Sequence, residues 1–414
     1  MLQFDDAFFP VGQGLFYSGT IHFVGKSKRQ WQTNFVFDCG SITSKRVLSR
    51  SVSKFHRGLD RNFIDFLVLS HLHEDHANGL ENLLKQDLHV GAVFLPYLNP
   101  SQRLMVGLKC LGQDAAYFEF LANPTAYLLN RRVRRIVYLQ GGGGQEPEDN
   151  IGDDFPDEPS EDNALDQGIN RMEDAGRASQ GSSGGDPALN DGRVDQKLVR
   201  ISLMIGKIWE FRFFNYDEES LPGDQRIDEV VTKVLKELGV DNPVEALKKL
   251  AENEVRKRVR SHYRKLAGNQ NDLSVMLWHG PRQPRSRSLT ETWSYSQGRR
   301  LSWCRRAEHW SRSAGSLLTG DIPLSLGFPI IKEHFRSKWP RTSAVQVPHH
   351  GSKHSRHTRI TRNVPSGGEF VIGAGHRNRY GHPHRSVIVD ILRFHECRYV
   401  TECCGLEREM WFHP

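Results

Sequence analysis

The sequence predicts an α/β fold whose strands deliver metal-ligating side chains at their carboxyl ends. Three observations carry that reading. The apolar run 63–69 stops abruptly in Ser70-His71-Leu72-His73-Glu74-Asp75-His76, which packs three imidazoles into a single turn. Three later apolar stretches, 316–318, 345–347 and 369–374, also run into Asp or His residues. Helical patterns fall between the strands, and open α/β architectures put their chemistry where strands end.

Taken in order, the segments 8–17, 20–24 and 31–40 read as strands and turns, and a helix is expected from Ser44 towards Arg57. The buried strand 63–69 and its histidine loop follow, then a helix from Asn78, a strand over 90–96, helical pattern between Arg103 and Arg131, and a strand over 134–139. From Gly141 to Asp195 the composition turns to Gly, Asp, Glu, Asn, Ser and Pro, so 141–195 is expected to be a disordered or solvated insertion. Strands return over 197–204 and 208–214. A charged helical insertion is expected over 222–270, as two helices broken at Gly239 to Pro243. The strand 271–279 leads to an Arg/Trp-rich insertion, 282–313, before the last three strands.

The chain of 414 residues fits a single elaborated domain, 1–414, bearing these three insertions. No run reaches the roughly 18 apolar residues that span a bilayer, and the first residues lack the order of a signal peptide, so a soluble, cytoplasmic protein without membrane contact is expected. Six cysteines show no repeated Cys-x-x-Cys pairing, which argues against a disulfide framework; Cys397, Cys403 and Cys404 read as small hydrophobes or as a redox or metal group. The segment from Glu146 to Asp186 holds 13 acidic and 2 basic side chains, so the net charge of +7 conceals a surplus of about +18 on everything else. A body that basic attracts polyanions, and nucleic acid, DNA or RNA, is the expected partner. The acidic tract serves either to shield a nucleic-acid groove or as a solubilising linker. In the Arg/Trp-rich stretch, Arg282, Arg285, Arg287, Arg299, Arg300, Arg305 and Arg306 beside Trp293, Tyr295, Trp303 and Trp310 suit phosphate contact with base stacking, or a solvated basic loop.

The histidine loop is a metal site by composition. His71 and His73 lie on one side of an extended chain and can clamp one ion, while Asp75 and His76, around the bend, face a second. A solvated His-rich loop is the alternative. Asp321, closing the strand 316–318 in Leu-Thr-Gly-Asp, is the natural bridging carboxylate.

With these motifs in order along the chain, the sequence resembles the metallo-β-lactamase superfamily, and within it the metallo-hydrolase domain of ComEC-type DNA-uptake proteins. The resemblance rests on Val11-Gly12-Gln13-Gly14, Asp38-Cys39-Gly40, His71 to His76, Asn271 to Ser274, Leu317 to Asp321, Pro348-His349-His350-Gly351-Ser352 and Asn378 to Pro383. It implies an αβ/βα sandwich of two mixed sheets flanked by helices. It implies two divalent metal ions, zinc or manganese, one on His71 and His73 and the other on Asp75 and His76, with Asp321 bridging and His382 completing the shell. Asp38 then orients the loop without binding metal. His349 and His350 fall where related phosphodiesterases place a phosphate-contacting or proton-donating histidine, and either can instead be a ligand. The superfamily's further histidine between the first loop and the Gly-Asp strand is not evident; His279 occupies the interval as a strand cap or a ligand.

The expected activity is hydrolysis of a phosphodiester by a hydroxide activated between two metals, with Asp75, His349 and His350 as catalytic residues. A hydrolase of a small substrate, such as a nucleotide messenger, ester, lactam or peptide, and a non-catalytic sensor of the same fold are the other classes. A place in bacterial defence or competition, with protein partners from a neighbouring system, is implied only at the level of the family.

Overall fold

The computed structural model describes residues 1–25, 28, 30–85, 87–141, 164–172, 186–199, 202–216, 226–263, 274–282, 287–296, 299–310, 314–355 and 359–412. Seventeen strands are described: β1 (Leu2–Phe8), β2 (Phe16–Val24), β3 (Gln30–Cys39), β4 (Phe63–Val68), β5 (His89–Pro96), β6 (Val133–Gln140), β7 (Val194–Leu198), β8 (Leu203–Ile205), β9 (Trp209–Phe214), β10 (Met276–Pro281), β11 (Arg287–Ser296), β12 (Arg299–Trp310), β13 (Gly315–Leu318), β14 (Thr342–Gln346), β15 (Glu369–Gly373), β16 (Glu396–Val400) and β17 (Gly405–Phe412). They form two mixed sheets, ordered β12-β11-β17-β1-β2-β3-β4-β5-β6-β7 and β16-β15-β14-β13-β10-β9-β8.

Side-chain alternation builds the layers, because successive residues of a strand face opposite sides. Phe35, Phe66 and Phe94 point inward to meet Phe211, Phe213, Leu277 and Leu318 of the second sheet. Val36, Leu67 and Val93 point outward to the helices Lys45–Gly58 and Pro100–Lys109. On the far side, Leu317, Val345 and Phe370 pack beneath Ile331, Val387 and Ile391 of the helices Leu324–His334 and Arg385–Leu392. Two mixed sheets face to face with helices on both outer surfaces make the expected αβ/βα sandwich.

Several elements differ from expectation. Leu2–Phe8 is a strand paired with both β2 and β17, whereas 9–15 is a turn. The helical insertion holds three helices, Arg226–Leu238, Pro243–Leu250 and Asn253–Tyr263. The extra break is stabilised by Arg256, which folds back to donate to the carbonyls of Leu250 and Ala251 at 2.7 and 2.6 Å. Within the acidic stretch, Ala164–Arg171 is helical, and Ile169 and Met172 reach the inter-sheet core; 142–163 and 173–185 lie outside the described residues.

The Arg/Trp-rich stretch is a β-hairpin that extends the first sheet beyond β17, with the strands β17, β1, β2 and β3 between it and β4. Tyr295 is buried, with the Lys54 ammonium 3.1 Å from its ring centroid, so it is not open to a base. Arg282 is described. Arg285 and the side chains of Arg287, Arg299, Arg300, Trp303, Arg305, Arg306 and Trp310 lie outside the described residues, as do Asn271 to Leu273. Among the described residues no helix is long and apolar enough to cross a membrane.

Phe66 sits at the centre of the sandwich, with ring centroids 5.3 Å from Phe35, 5.7 Å from Phe94 and 4.9 Å from Phe211. Phe66→Ala is expected to lower the unfolding free energy by about 3–5 kcal/mol in chemical denaturation. Val389→Ala, at a position 44% exposed, is expected to change it by less than about 0.5 kcal/mol.

Candidate metal centre

Strands β3, β4 and β5 run parallel, as do β13, β14 and β15, and the carboxyl ends of the two sets meet at one edge of the sandwich. The Val275 amide, at the start of β10, donates to the carbonyl of Ser70 at 2.7 Å and ties the end of β4 to the second sheet. Close backbone approach holds the rest. A Cβ on Gly40 would lie 2.4 Å from the Asp75 carbonyl carbon and the His76 amide nitrogen, and one on Gly320, whose φ is +54°, would strike Ser70 and Ser274. The glycines of Asp-x-Gly and Thr-Gly-Asp therefore let their strands lie directly against the histidine loop.

Asp38 organises that loop. Fully buried at a left-handed φ of 58°, its carboxylate accepts from the Ser70 amide at 2.6 Å, the Ser70 hydroxyl at 2.6 Å and His76 Nδ1 at 2.7 Å. Asp tolerates this backbone conformation better than most residues. The Ser70 hydroxyl, having given its proton to Asp38, accepts from His71 Nδ1 at 3.0 Å. In the sequence the only signal of Ser70 is its place between the strand and the first histidine.

These contacts assign the tautomers and thereby test whether the site suits a cation. His71 and His76 carry their protons on Nδ1, so both Nε2 atoms point lone pairs inward, and both are buried without hydrogen-bond partners. His350 donates from Nδ1 to the Gly373 carbonyl at 2.7 Å, which turns its Nε2 lone pair the same way. Facing them are carboxylates. His76 Nε2 lies 3.2 Å from Asp321 Oδ1, itself without a hydrogen-bond partner; His71 Nε2 lies 3.9 Å from Asp321 Oδ2; and His350 Nε2 lies 3.1 Å from Asp75 Oδ2. Acceptors facing acceptors in a buried site need a proton or a cation between them. One ligand atom from each of Asp75, His76, Asp321 and His350 lies within 4.8 Å of the others, a donor set that suits a divalent metal.

His349 and His350 both adopt left-handed backbone angles, with φ of 49° and 54°. Strain of this kind concentrates at functional sites. It sends the two rings to different partners. His350 is buried among the ligand atoms, whereas His349 keeps 27% of its side chain exposed, with Nδ1 3.6 Å from Asp321 Oδ2. His73 and His382 line the cleft outside the four-residue cluster, and the His382 ring lies 5.8 Å from that of His349. His279 is not in the cleft. It is buried between the sheets beside Phe4, Phe35 and Trp209, with Nε2 donating to the Tyr17 hydroxyl at 3.0 Å.

Burial holds the His71 pKa well below the ordinary imidazole value, brings His73 to about 4, and, aided by His350 and His349, brings His382 to about 4. Burial also disfavours charge on His76 and His350. For His76 it is overridden by the carboxylates of Asp321, Asp38 and Asp75, and for His350 by those of Asp321 and Asp75, so both are raised. Burial pushes Asp38 upward. It pushes Asp75 and Asp321 upward too, but the surrounding imidazoles, His76 first for Asp75 and His349 first for Asp321, hold both below the ordinary range.

The cluster lies at the foot of a cleft of about 260 Å³ whose walls include Lys109, Arg379 and Tyr380. None of these three was expected as a site residue from the sequence. Comparison with solved structures finds a crystal structure of a long form RNase Z from yeast, with a TM-score of 0.36 and 9% identity. The match covers 97% of this chain and 41% of that one, so this chain spans less than half the length of that protein. No family model matches the sequence, and no curated protein does.

Asp38→Asn is expected to weaken divalent-cation affinity about 10- to 100-fold by isothermal titration calorimetry, because it replaces one of the two oxygens that accept from Ser70 and His76 with an NH2 donor. With raised pKa values, His76 and His350 bind protons that a cation must displace. Affinity is therefore expected to rise with pH, with net proton release at pH 7 seen across buffers of different ionisation enthalpy. Without a cation, the raised His76 and His350 values contribute stability that is fully present below about pH 6.5 and lost as pH rises through them. The melting temperature of cation-free protein is thus expected to fall on the alkaline side, and added cation to restore it.

Proposed function

We propose that this protein is a metal-dependent hydrolase that cleaves phosphodiester bonds, with nucleic acid as its substrate class. The observation that carries the reading is the convergence of Asp75, His76, Asp321 and His350 at the foot of a cleft with cationic walls. His71, whose unpartnered Nε2 also faces Asp321, and His73 beside it supply donors for a second ion, so Asp321 is positioned to serve both. Zinc and manganese suit this mixture of imidazole and carboxylate. Asp38 and Ser70 hold the ligands from behind.

Divalent cations bound there supply Lewis acidity and lower the pKa of water towards about 7. The chain's own groups do the rest. Lys109 and Arg379 attract and neutralise the phosphate. Asp75, held below the ordinary carboxylate range, stays an acceptor and aligns the attacking water. His349, partly exposed in the cleft, contacts a non-bridging oxygen or hands a proton to the leaving oxygen. The basic body outside the acidic tract steers a polyanion towards the cleft. The motif resemblance to the hydrolase domains of DNA-uptake proteins supports the same substrate class, and a cytoplasmic role alongside partners of a bacterial defence or competition system belongs to this proposal.

Purified protein incubated with single- and double-stranded DNA and RNA under zinc or manganese is expected to cleave at least one of them. Asp75→Ala and Asp321→Ala are expected to lower the rate by more than about a hundredfold. Turnover of a cyclic dinucleotide or a simple ester, with no polynucleotide cut under any divalent cation, would overturn the nucleic-acid assignment.

A further inference from the structure

A second cavity, of about 650 Å³, adjoins the metal cleft and shares Gln13, Ile42, Glu74, Arg379 and Tyr380 with it as a common wall. Its size falls within the roughly 300–1,000 Å³ of small-ligand sites. Three features of the shared wall point to a ligand.

The first is an exposed aromatic side chain. Tyr380 is 47% exposed at the junction of the two cavities, and its ring is stacked on His382 at 5.8 Å with 26° between planes. The loop that carries it is stapled by Asn378. The side-chain oxygen of Asn378 accepts from the amides of Tyr380 and His382 at 3.2 and 2.9 Å, and its amide donates to the carbonyls of Gly375 and His382. An exposed aromatic fixed in this way is a stacking platform.

The second is charge. Arg379 lies against Tyr380, with its guanidinium 5.1 Å from the ring centroid and Nη2 donating to the hydroxyl at 2.9 Å, and Arg377 lines the second cavity. Two acids also line the second cavity, each with a partner: Glu74 accepts from Gln113, another lining residue, and Glu402 accepts from the His376 amide at 3.0 Å with the His376 ring 3.3 Å away. The third is Gln13, only 3% exposed and lining both cavities, with an Oε1 that has no hydrogen-bond partner. Its backbone is fixed by the Thr43 hydroxyl at 2.7 Å and the Ile42 amide at 2.9 Å. A buried amide oxygen without a partner leaves an acceptor for a ligand hydroxyl or amino group.

We infer that the second cavity is a nucleotide subsite that holds the residue next to the scissile phosphodiester, an inference that rests on the phosphodiesterase reading above. The base stacks on Tyr380, Arg377 meets the adjoining phosphate, Arg379 on the shared wall stays with the scissile phosphate, and Gln13 hydrogen-bonds to the sugar or base. The strand enters past Tyr380 and presents its next phosphate to Asp75, Asp321 and His349.

The test uses the full chain in a chelating buffer, so that nothing is cleaved, and a fluorescein-labelled thymidine pentanucleotide followed by fluorescence anisotropy. Tyr380→Ala is expected to raise Kd about tenfold, within the range of one lost stacking contact, and Tyr380→Trp to keep wild-type affinity. Arg377→Ala and Arg379→Ala are each expected to reduce the slope of log K against log salt by about 0.7, a change that loss of loop structure alone does not produce. No binding by the wild type, or an unchanged Kd for Tyr380→Ala together with an unchanged salt slope for both arginine variants, overturns the subsite. Equal affinity for thymidine 5′-monophosphate overturns its placement beside a scissile bond and assigns the cavity to a free nucleotide. Hydrolysis of bis(p-nitrophenyl) phosphate by wild-type protein, measured separately with zinc or manganese, reports on the phosphodiesterase reading alone. Turnover of that ester without Tyr380-dependent binding sinks the subsite and keeps the hydrolase; Tyr380-dependent binding without turnover of any phosphodiester does the reverse.

Discussion

The Asp38 carboxylate and its three donors bear the weight of the arrangement at the mouth of the sandwich. Two of the donors are the amide and hydroxyl of Ser70 and the third is the His76 ring, so a single side chain at the end of β3 fixes both ends of the loop that follows β4. From there the constraint spreads. Ser70 aligns His71 through its hydroxyl and anchors β10 through its carbonyl. Gly40, two residues beyond Asp38, lets the backbone of Asp75 and His76 lie against its own, and Gly320 sets the Asp321 strand against Ser70. Neither sheet could take a bulkier neighbour at these points without moving the imidazoles.

The cluster also carries an electrostatic constraint. Burying Asp38, Asp75 and Asp321 together is unfavourable unless positive charge accompanies them, because desolvation of each ion outweighs what distant water can return. The fold supplies imidazoles that accept protons there, and the same lone pairs accept a cation. Protonation and metal loading are thus alternative solutions to one problem of buried charge.

The layers and the clustering of Asp75, His76 and Asp321 are legible because they depend on local pattern: a run such as 63–69 announces a buried strand, and the histidines directly after it must lie at its end. What the sequence could not separate were neighbours of identical chemistry. His349 and His350 are indistinguishable on paper, and only two consecutive left-handed backbone conformations send one to Asp75 and leave the other in the cleft. Ser70 acts through a three-way hydrogen bond that no spacing rule records. Likewise, β1, β17 and the hairpin of β11 and β12 depend on pairing between distant segments, and charged Arg/Trp-rich residues do not announce an added edge of sheet. The helix Ala164–Arg171 is not legible because a few apolar residues, Leu165, Ile169 and Met172, dock it to the core from among acidic neighbours. His279 has a strand position like that of a ligand, yet its ring packs among aromatics between the sheets.

The four clustered side chains come in pairs from opposite halves of the fold. Asp75 and His76 follow β4 in the first sheet, whereas Asp321 and His350 follow β13 and β14 in the second. A cation held by all four would be a cross-link between the two sheets, closing a loop of about 245 residues that contains the whole helical insertion. Such a link would work as a reversible clasp, drawing its strength from the free cation concentration, and would tie the docking of the two sheets to the metal supply around the protein.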